Sequence, residues 1–150
     1  MTSAGPRVPS TLAELTTLVG NAPGFAEVVA SLHSGRSAAI DGAWGSSCAL
    51  SLAAIIAADP QRVHVIVQPT IRDAEECVDE LSDLIRSPVL LFPAWESLPD
   101  AVDAGDAVYA ARLAVVRRLN DTDRKPALIV TCVPALLQPV PARDAIKAAT

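Results

Sequence analysis

The residues best suited to chemistry in this sequence follow a short apolar run at residues 38–40. A glycine-spaced loop at residues 42–47 comes next, and a long apolar helix is predicted to begin near Ser46. A strand, a glycine loop and a helix in this order are typical of a P-loop, whose backbone N–H groups bind phosphate at the helix N-terminus. The layout therefore predicts a loop with the shape of a nucleotide site.

The P-loop pattern G-x-x-x-x-G-K-[ST] fits this loop only in part. Gly42 fills the first glycine, but Ser47 replaces the second, Cys48 replaces the lysine and Ala49 replaces the Ser/Thr. The lysine that contacts the β/γ-phosphates and the hydroxyl that holds Mg²⁺ are therefore both missing. We expect no cofactor to bind at this degenerate loop, which comprises Gly42, Gly45, Ser46, Ser47, Cys48 and Ala49.

The rest of the sequence offers no pattern that predicts catalysis. A P-loop NTPase needs an acidic residue at the end of a core strand to hold Mg²⁺, but the Asp79-Glu80 pair falls within a predicted helix. The three cysteines are widely spaced, and neither histidine has a metal-ligand spacing with them. We therefore predict no catalytic residue and no metal site, and we interpret the cysteines as buried thiols in a reducing compartment.

The composition is that of a folded domain rather than a disordered or membrane protein. The 150 residues are 51% hydrophobic, with apolar segments broken regularly by proline, glycine and charge. No apolar run approaches the ~20 residues of a membrane helix, and residues 1–10 lack the apolar region of a signal peptide. The net charge of −5 argues against unaided nucleic-acid binding. We expect a cytoplasmic protein with no membrane contact.

Apolar runs alternate with helical periodicities along the chain. Runs at residues 63–67, 89–92 and 127–132 join residues 38–40 as predicted strands, with helices between them. Continuous apolar strands separated by helices imply a parallel sheet covered by helices on both faces. The predicted fold is α/β, of the RecA/P-loop type with a degenerate nucleotide loop.

Two of the predicted helices carry a charged face. The helix at residues 71–86 has an acidic face, and the helix that follows Asp106 has a basic side formed by Arg112, Arg117 and Arg118. A solvated surface explains an acidic face more often than a basic partner does. The acidic residues are Asp73, Glu75, Glu76, Asp79, Glu80 and Asp83.

Trp95 is the second candidate for a functional residue. Aromatic residues make up only 3% of the chain, and Trp95 lies between two prolines in F-P-A-W-E-S-L-P. It is predicted to anchor a loop to the domain. The functional alternative is a contact of Trp95 and Glu96 with a neighbouring domain or a partner.

Several motifs, in this order and spacing, resemble a known family. They are the degenerate loop, Q-P-T-x-x-x-A from residue 68, L-F-P-A-W-E-S-L-P-D from residue 91, A-A-R-L from residue 110, and A-L-I-V-T-C-V-P-A-L-L-Q-P-V-P from residue 127. Together they resemble the N-terminal region of the bacterial transcription-repair coupling factors, the Mfd family. That region is similar to the excision-repair protein UvrB but has lost its nucleotide site.

The resemblance implies a division of the chain and a function for the longer protein. Residues 1–24 would be a leader and first helix, residues 25–133 a UvrB-like α/β subdomain, and residues 134–150 the start of a UvrA-binding subdomain. The full protein would be an ATP-dependent double-stranded DNA translocase of helicase superfamily 2 that displaces stalled RNA polymerase and recruits UvrA. ATP and Mg²⁺ would bind its motor, and these 150 residues would be a non-catalytic scaffold.

Three alternatives stay open at the level of the sequence. A UvrB-type protein would carry the Walker lysine and a tyrosine-rich hairpin, whereas this chain has Cys48 and only one tyrosine, Tyr109, in residues 94–111. A genuine nucleotide binder would need Arg36 or Arg72 to replace the lysine. A generic α/β interaction module would share only ancestry with the family.

Overall fold

The computed structural model describes residues 9, 11–95, 107–121 and 128–140. They divide between two compact units, the first from residues 1–60 and 80–86 and the second from residues 61–79 and 87–150. Helix α4 (Ile71–Leu84) contributes residues 71–79 to the second unit and residues 80–84 to the first.

The first unit contains three complete helices, α1 (Leu12–Gly20), α2 (Phe25–His33) and α3 (Ser46–Ala58). Thr11 caps α1, since its hydroxyl accepts a hydrogen bond of 3.3 Å from the N–H of Glu14. Helices α1 and α3 pack together. Small side chains on α3 allow a close approach of neighbouring groups; the buried apolar residues of this unit are Phe25, Ala49, Ala53, Ala54, Ile56 and Leu81.

The second unit is built on a three-stranded parallel sheet of β1 (His64–Gln68), β2 (Val89–Phe92) and β3 (Leu128–Cys132), in the order β1-β3-β2. His64 and Val89 both pair with Leu128, which sets the register. Helices α5 (Ala107–Asn120) and α6 (Val133–Leu136) pack on β2 and β3. All five residues of β3 are buried, as expected for the central strand.

The predicted α/β class and parallel sheet are confirmed, but two details of the strand prediction are wrong. Residues 38–40 form no strand; they lie exposed outside the regular elements, and Ile40 is 42% exposed. Two alanines bury little surface and favour strands weakly, so the run gains little from pairing. Strand β1 is not buried on both faces either, because its alternate residues Val65 and Val67 are exposed on one face of the sheet.

The helices predicted near Ser46, at residues 71–86 and after Asp106 agree with α3, α4 and α5 to within one or two residues at the ends that were predicted. Among the described helices, none combines the length and apolar character needed to cross a bilayer.

Candidate functional site

The degenerate loop has the predicted position at the start of α3. Gly42 and Gly45 have φ angles of 76° and 54°, in the region that side chains disfavour, so both positions require glycine. Between them, Trp44 is 83% exposed. The two glycines therefore permit backbone conformations in the loop that other residues would adopt only with strain.

Three N–H groups of this loop are engaged by the protein itself. The N–H of Trp44 donates to the Ser47 hydroxyl at 2.7 Å, and the N–H of Ser47 donates to the Trp44 carbonyl at 3.2 Å. The N–H of Cys48 donates to the Gly45 carbonyl at 2.9 Å. A P-loop directs such groups at phosphate, so this loop would have to exchange internal hydrogen bonds for phosphate contacts.

The residues at the lysine and hydroxyl positions also have other contacts. The Cys48 thiol donates to the Ala43 carbonyl, with 3.3 Å between sulfur and oxygen. Ala49 is only 2% exposed, so its methyl group belongs to the core. Cys48 itself is exposed, which contradicts the expectation of a buried thiol, whereas Cys77 and Cys132 are buried as predicted.

Glu80 contacts the first residue of α3. The Ser46 hydroxyl donates a hydrogen bond of 2.6 Å to the Glu80 carboxylate. The positive end of the helix dipole favours this negative charge. A carboxylate is therefore held near the position where a P-loop would hold phosphate. No local pattern could signal this contact, because the two residues are 34 positions apart in the chain.

The two arginines considered as replacements for the lysine have local partners. The Arg36 Nε donates to the Ser34 hydroxyl at 3.0 Å. The Arg72 Nε donates to the Glu76 carboxylate at 3.0 Å, and this hydrogen bond raises the pKa of Arg72. Each arginine therefore has a hydrogen-bond partner within four residues of it in the sequence.

Within the described part of the chain, no group of three or more His, Cys, Asp or Glu side chains is placed to hold a metal ion. His33 instead contacts Asp59, with 3.1 Å between Nε2 and the carboxylate oxygen. An imidazole and a single carboxylate provide two potential ligands, fewer than the three or four that a zinc site uses.

Trp95 lies in a cluster within the second unit, together with Phe92, Arg112 and Gln138. The Gln138 side-chain amide makes two hydrogen bonds with the Trp95 backbone, one from its N–H at 2.7 Å and one to its carbonyl at 2.8 Å. Trp95 is half-buried. These contacts attach Trp95 to the second unit, and its predicted role as a loop anchor stays a prediction. Glu96 lies outside the described residues, and the interdomain contact stays a prediction.

Arg112 is the buried centre of this cluster, with 3% of its surface exposed. Its Nη1 donates to the Pro93 carbonyl at 2.7 Å, and its Nη2 donates to the Pro139 carbonyl at 3.1 Å. Burial lowers the pKa of the Arg112 guanidinium. The prediction that Arg112 contributes to a basic helix side is therefore wrong. Sequence periodicity could not reveal this, because the acceptors are backbone carbonyls of distant segments.

Comparisons with known proteins agree with the resemblance seen in the motifs. The chain is 32% identical over 147 residues to the transcription-repair-coupling factors of Mycobacterium bovis and Mycobacterium tuberculosis. Each comparison covers 93% of this chain and 12% of the relative, so the chain spans about an eighth of the length of these proteins. No protein-family model matches the chain. The predicted resemblance to the coupling factors is confirmed.

Proposed function

We propose that this chain is a non-catalytic α/β module of a transcription-repair-coupling factor and that its degenerate loop does not bind nucleotide. Similarity to two coupling factors over 93% of the chain supports the first part. The hydrogen bond from Ser46 to Glu80 carries the second part, because it holds a carboxylate at the helix N-terminus that would otherwise attract phosphate.

Two effects weaken phosphate binding at this loop, a lost attraction and an added repulsion. A hydrogen bond to a charged group contributes about 1.5–3 kcal/mol, and every 1.4 kcal/mol corresponds to about tenfold in affinity. Replacing the lysine by Cys48 therefore removes at least tenfold in phosphate affinity. The Glu80 carboxylate repels a phosphate that approaches Ser46, which weakens binding further.

The longer protein is proposed to displace stalled RNA polymerase with an ATP-driven motor on double-stranded DNA and to recruit UvrA. ATP and Mg²⁺ would bind that motor, outside these 150 residues. In this proposal the present chain provides a rigid α/β scaffold, for which a buried parallel sheet is suited and a working nucleotide site is unnecessary.

Isothermal titration of residues 1–150 with Mg-ATP tests the loop. We expect no saturable heat in the low-micromolar range, and a micromolar isotherm would contradict the proposal. A separate titration with inorganic phosphate distinguishes binding of the phosphate groups from binding of the nucleotide base. The coding sequence beyond Thr150 tests the family part, since helicase motifs are expected downstream.

A further inference from the structure

A groove of about 370 Å³ lies within the first unit, lined by residues of α1, α3 and the last turns of α4. This volume falls within the ~300–1,000 Å³ typical of binding sites. The apolar lining residues are Leu12, Leu15, Ala49, Leu50 and Leu84. The polar lining residues are Ser46, Ser47, Glu80 and Asp83. The groove thus combines an aliphatic floor with a hydroxyl- and carboxylate-bearing rim.

The leucines of the floor retain solvent-accessible apolar surface. Leu12 is 52% exposed, and Leu15, Leu50 and Leu84 are only half-buried. Apolar surface at one place on a protein marks an interaction site more often than scattered exposed residues do. An aliphatic group placed on this floor would be removed from water together with the leucines.

The rim carries two negative charges on one side of α4. Glu80 and Asp83 are three residues apart in the helix, so their side chains lie on the same face. Within the part of the chain that the structure describes, no cation forms a salt bridge with either carboxylate. The chain as a whole has a net charge of −5. A cationic ligand is therefore complementary to the rim, whereas a phosphate-bearing ligand is not.

We propose that this groove binds a basic amphipathic peptide segment of a partner protein. An aliphatic side chain of the segment packs on the leucine floor, and a lysine or arginine next to it contacts Glu80 and Asp83. This is the helix-in-groove mode, in which an apolar stripe supplies contact area and flanking charges supply selectivity. The groove shares Ser46, Ser47 and Glu80 with the degenerate loop, so this proposal rests on the proposed absence of nucleotide from that loop.

The test uses a fluorescein-labelled 14-residue peptide that has leucines at positions i, i+3, i+4 and i+7 and lysines elsewhere. Fluorescence anisotropy is measured on titration with residues 1–150. We expect saturable binding that weakens as salt increases, because salt screens the exposed rim charges. Two control peptides replace either all lysines by glutamate or all leucines by serine, and we expect binding of both to be at least about tenfold weaker.

Matched variants locate the binding surface. Leu12→Ser removes an aliphatic side chain from the floor, and its control is Leu18→Ser on the same helix, where Leu18 is also 52% exposed but does not line the groove. Asp83→Asn removes a rim charge, and its control is Asp79→Asn on the exposed part of α4. The groove variants should weaken the peptide about five- to tenfold, and the controls should change its affinity less than about twofold.

Three results would overturn the proposal. The first is no saturable binding of the basic peptide, and the second is equal binding of the glutamate peptide. The third is an equal loss of affinity in groove and control variants. Sedimentation addresses the other occupant, a second copy of this chain: a dimer that Leu12→Ser dissociates and Leu18→Ser does not would assign the groove to self-association instead.

Discussion

The guanidinium carbon of Arg112 lies 4.2 Å from the centroid of the Trp95 ring. The Phe92 ring is equally close, at 4.1 Å. Arg112 comes from α5, Phe92 from β2, and the carbonyl acceptor Pro139 from the segment that follows α6. The planar guanidinium of Arg112 therefore joins three segments of the second unit. It donates hydrogen bonds to carbonyl groups that lie outside the sheet.

Replacing Arg112 should destabilise the second unit. Arg112→Met keeps much of the apolar stem but leaves the carbonyls of Pro93 and Pro139 without their donor. An unsatisfied buried acceptor such as the Pro93 carbonyl costs about 1–3 kcal/mol, so we expect the free energy of unfolding to fall by about 1–3 kcal/mol. Urea unfolding followed by circular dichroism measures this change.

Arg117→Met is the control for this experiment, because Arg117 is exposed on the same helix. Its effect should stay within about 0.5 kcal/mol, as is usual for surface substitutions. Equal losses in both variants would mean that the stabilisation comes from helix charge rather than from the contacts of Arg112.

Trp95 and Arg112 should also be energetically coupled. Trp95→Ala removes a half-buried ring and the cation–π contact, and we expect a loss of about 2 kcal/mol. In a double-mutant cycle with Arg112→Met, the two losses should fall short of additivity by about 0.5–2 kcal/mol. Strictly additive losses would contradict an energetic contribution from the stacking. A loss below ~0.5 kcal/mol for Trp95→Ala would favour its role as a contact for a partner.

The contrast between Arg112 and β3 shows what could be predicted from the sequence. Strand β3 could be predicted locally, because a short continuous apolar run is typical of a buried strand, and all five of its residues are buried. Arg112 carries a charge in an otherwise ordinary helix, and its burial depends on carbonyls 19 and 27 residues away. Periodicity reports which face of a helix is apolar, but not which distant acceptors can satisfy a buried cation.

The same limit applies to the degenerate loop. The missing lysine and hydroxyl were evident from Cys48 and Ala49, and the start of α3 at Ser46 was predicted correctly. The contact of Glu80 was not predictable, because its acidic neighbours on α4 suggested a solvated face. Residues 38–40 failed as a strand because strand formation depends on a pairing partner as well as on local propensity.

Restoring the P-loop residues should lower the stability of the chain and should not restore binding of Mg-ATP. Ser47→Gly removes the acceptor of the Trp44 N–H, and Ala49→Thr adds atoms at a position that is 2% exposed. Overpacking costs about 1–3 kcal/mol, so the triple variant with Cys48→Lys should be clearly less stable than the parent chain. Because Glu80 remains at Ser46, we expect calorimetry to detect no micromolar binding of Mg-ATP.

Adding Glu80→Gln to the triple variant tests the carboxylate directly. Removing the negative charge from the N-terminus of α3 should improve the affinity for Mg-ATP at least about tenfold over the triple variant alone. Glu75→Gln, an exposed change on α4, is the control. Micromolar binding by the triple variant with Glu80 intact would show that the carboxylate does not oppose phosphate.

The Ser46–Glu80 hydrogen bond should also contribute to stability in the unaltered chain. Glu80→Gln keeps a hydrogen-bonding side chain but removes its charge, so the favourable interaction with the helix N-terminus is lost. We expect the free energy of unfolding to decrease by about 0.5–1 kcal/mol at low salt, and by less at 1 M salt. Thermal unfolding of the parent, Glu80→Gln and Glu75→Gln chains at both salt concentrations measures the difference.

UvrA is proposed to bind a subdomain that would begin near residue 134. In the described part of that region, α6 has only four residues, and Val133, Leu136, Leu137 and Val140 are 48–82% exposed. A stable interface buries about 800 Å² on each side, from some 20–30 residues. Residues 134–140 are too few for such an area, and most of their apolar side chains are exposed rather than packed into a core of their own. In a pull-down with purified UvrA, residues 1–150 should therefore fail to capture it, while a longer chain that includes the following subdomain should succeed. Equal capture by both would move the contact onto residues 1–150, with the acidic face of α4 as the first surface to mutate.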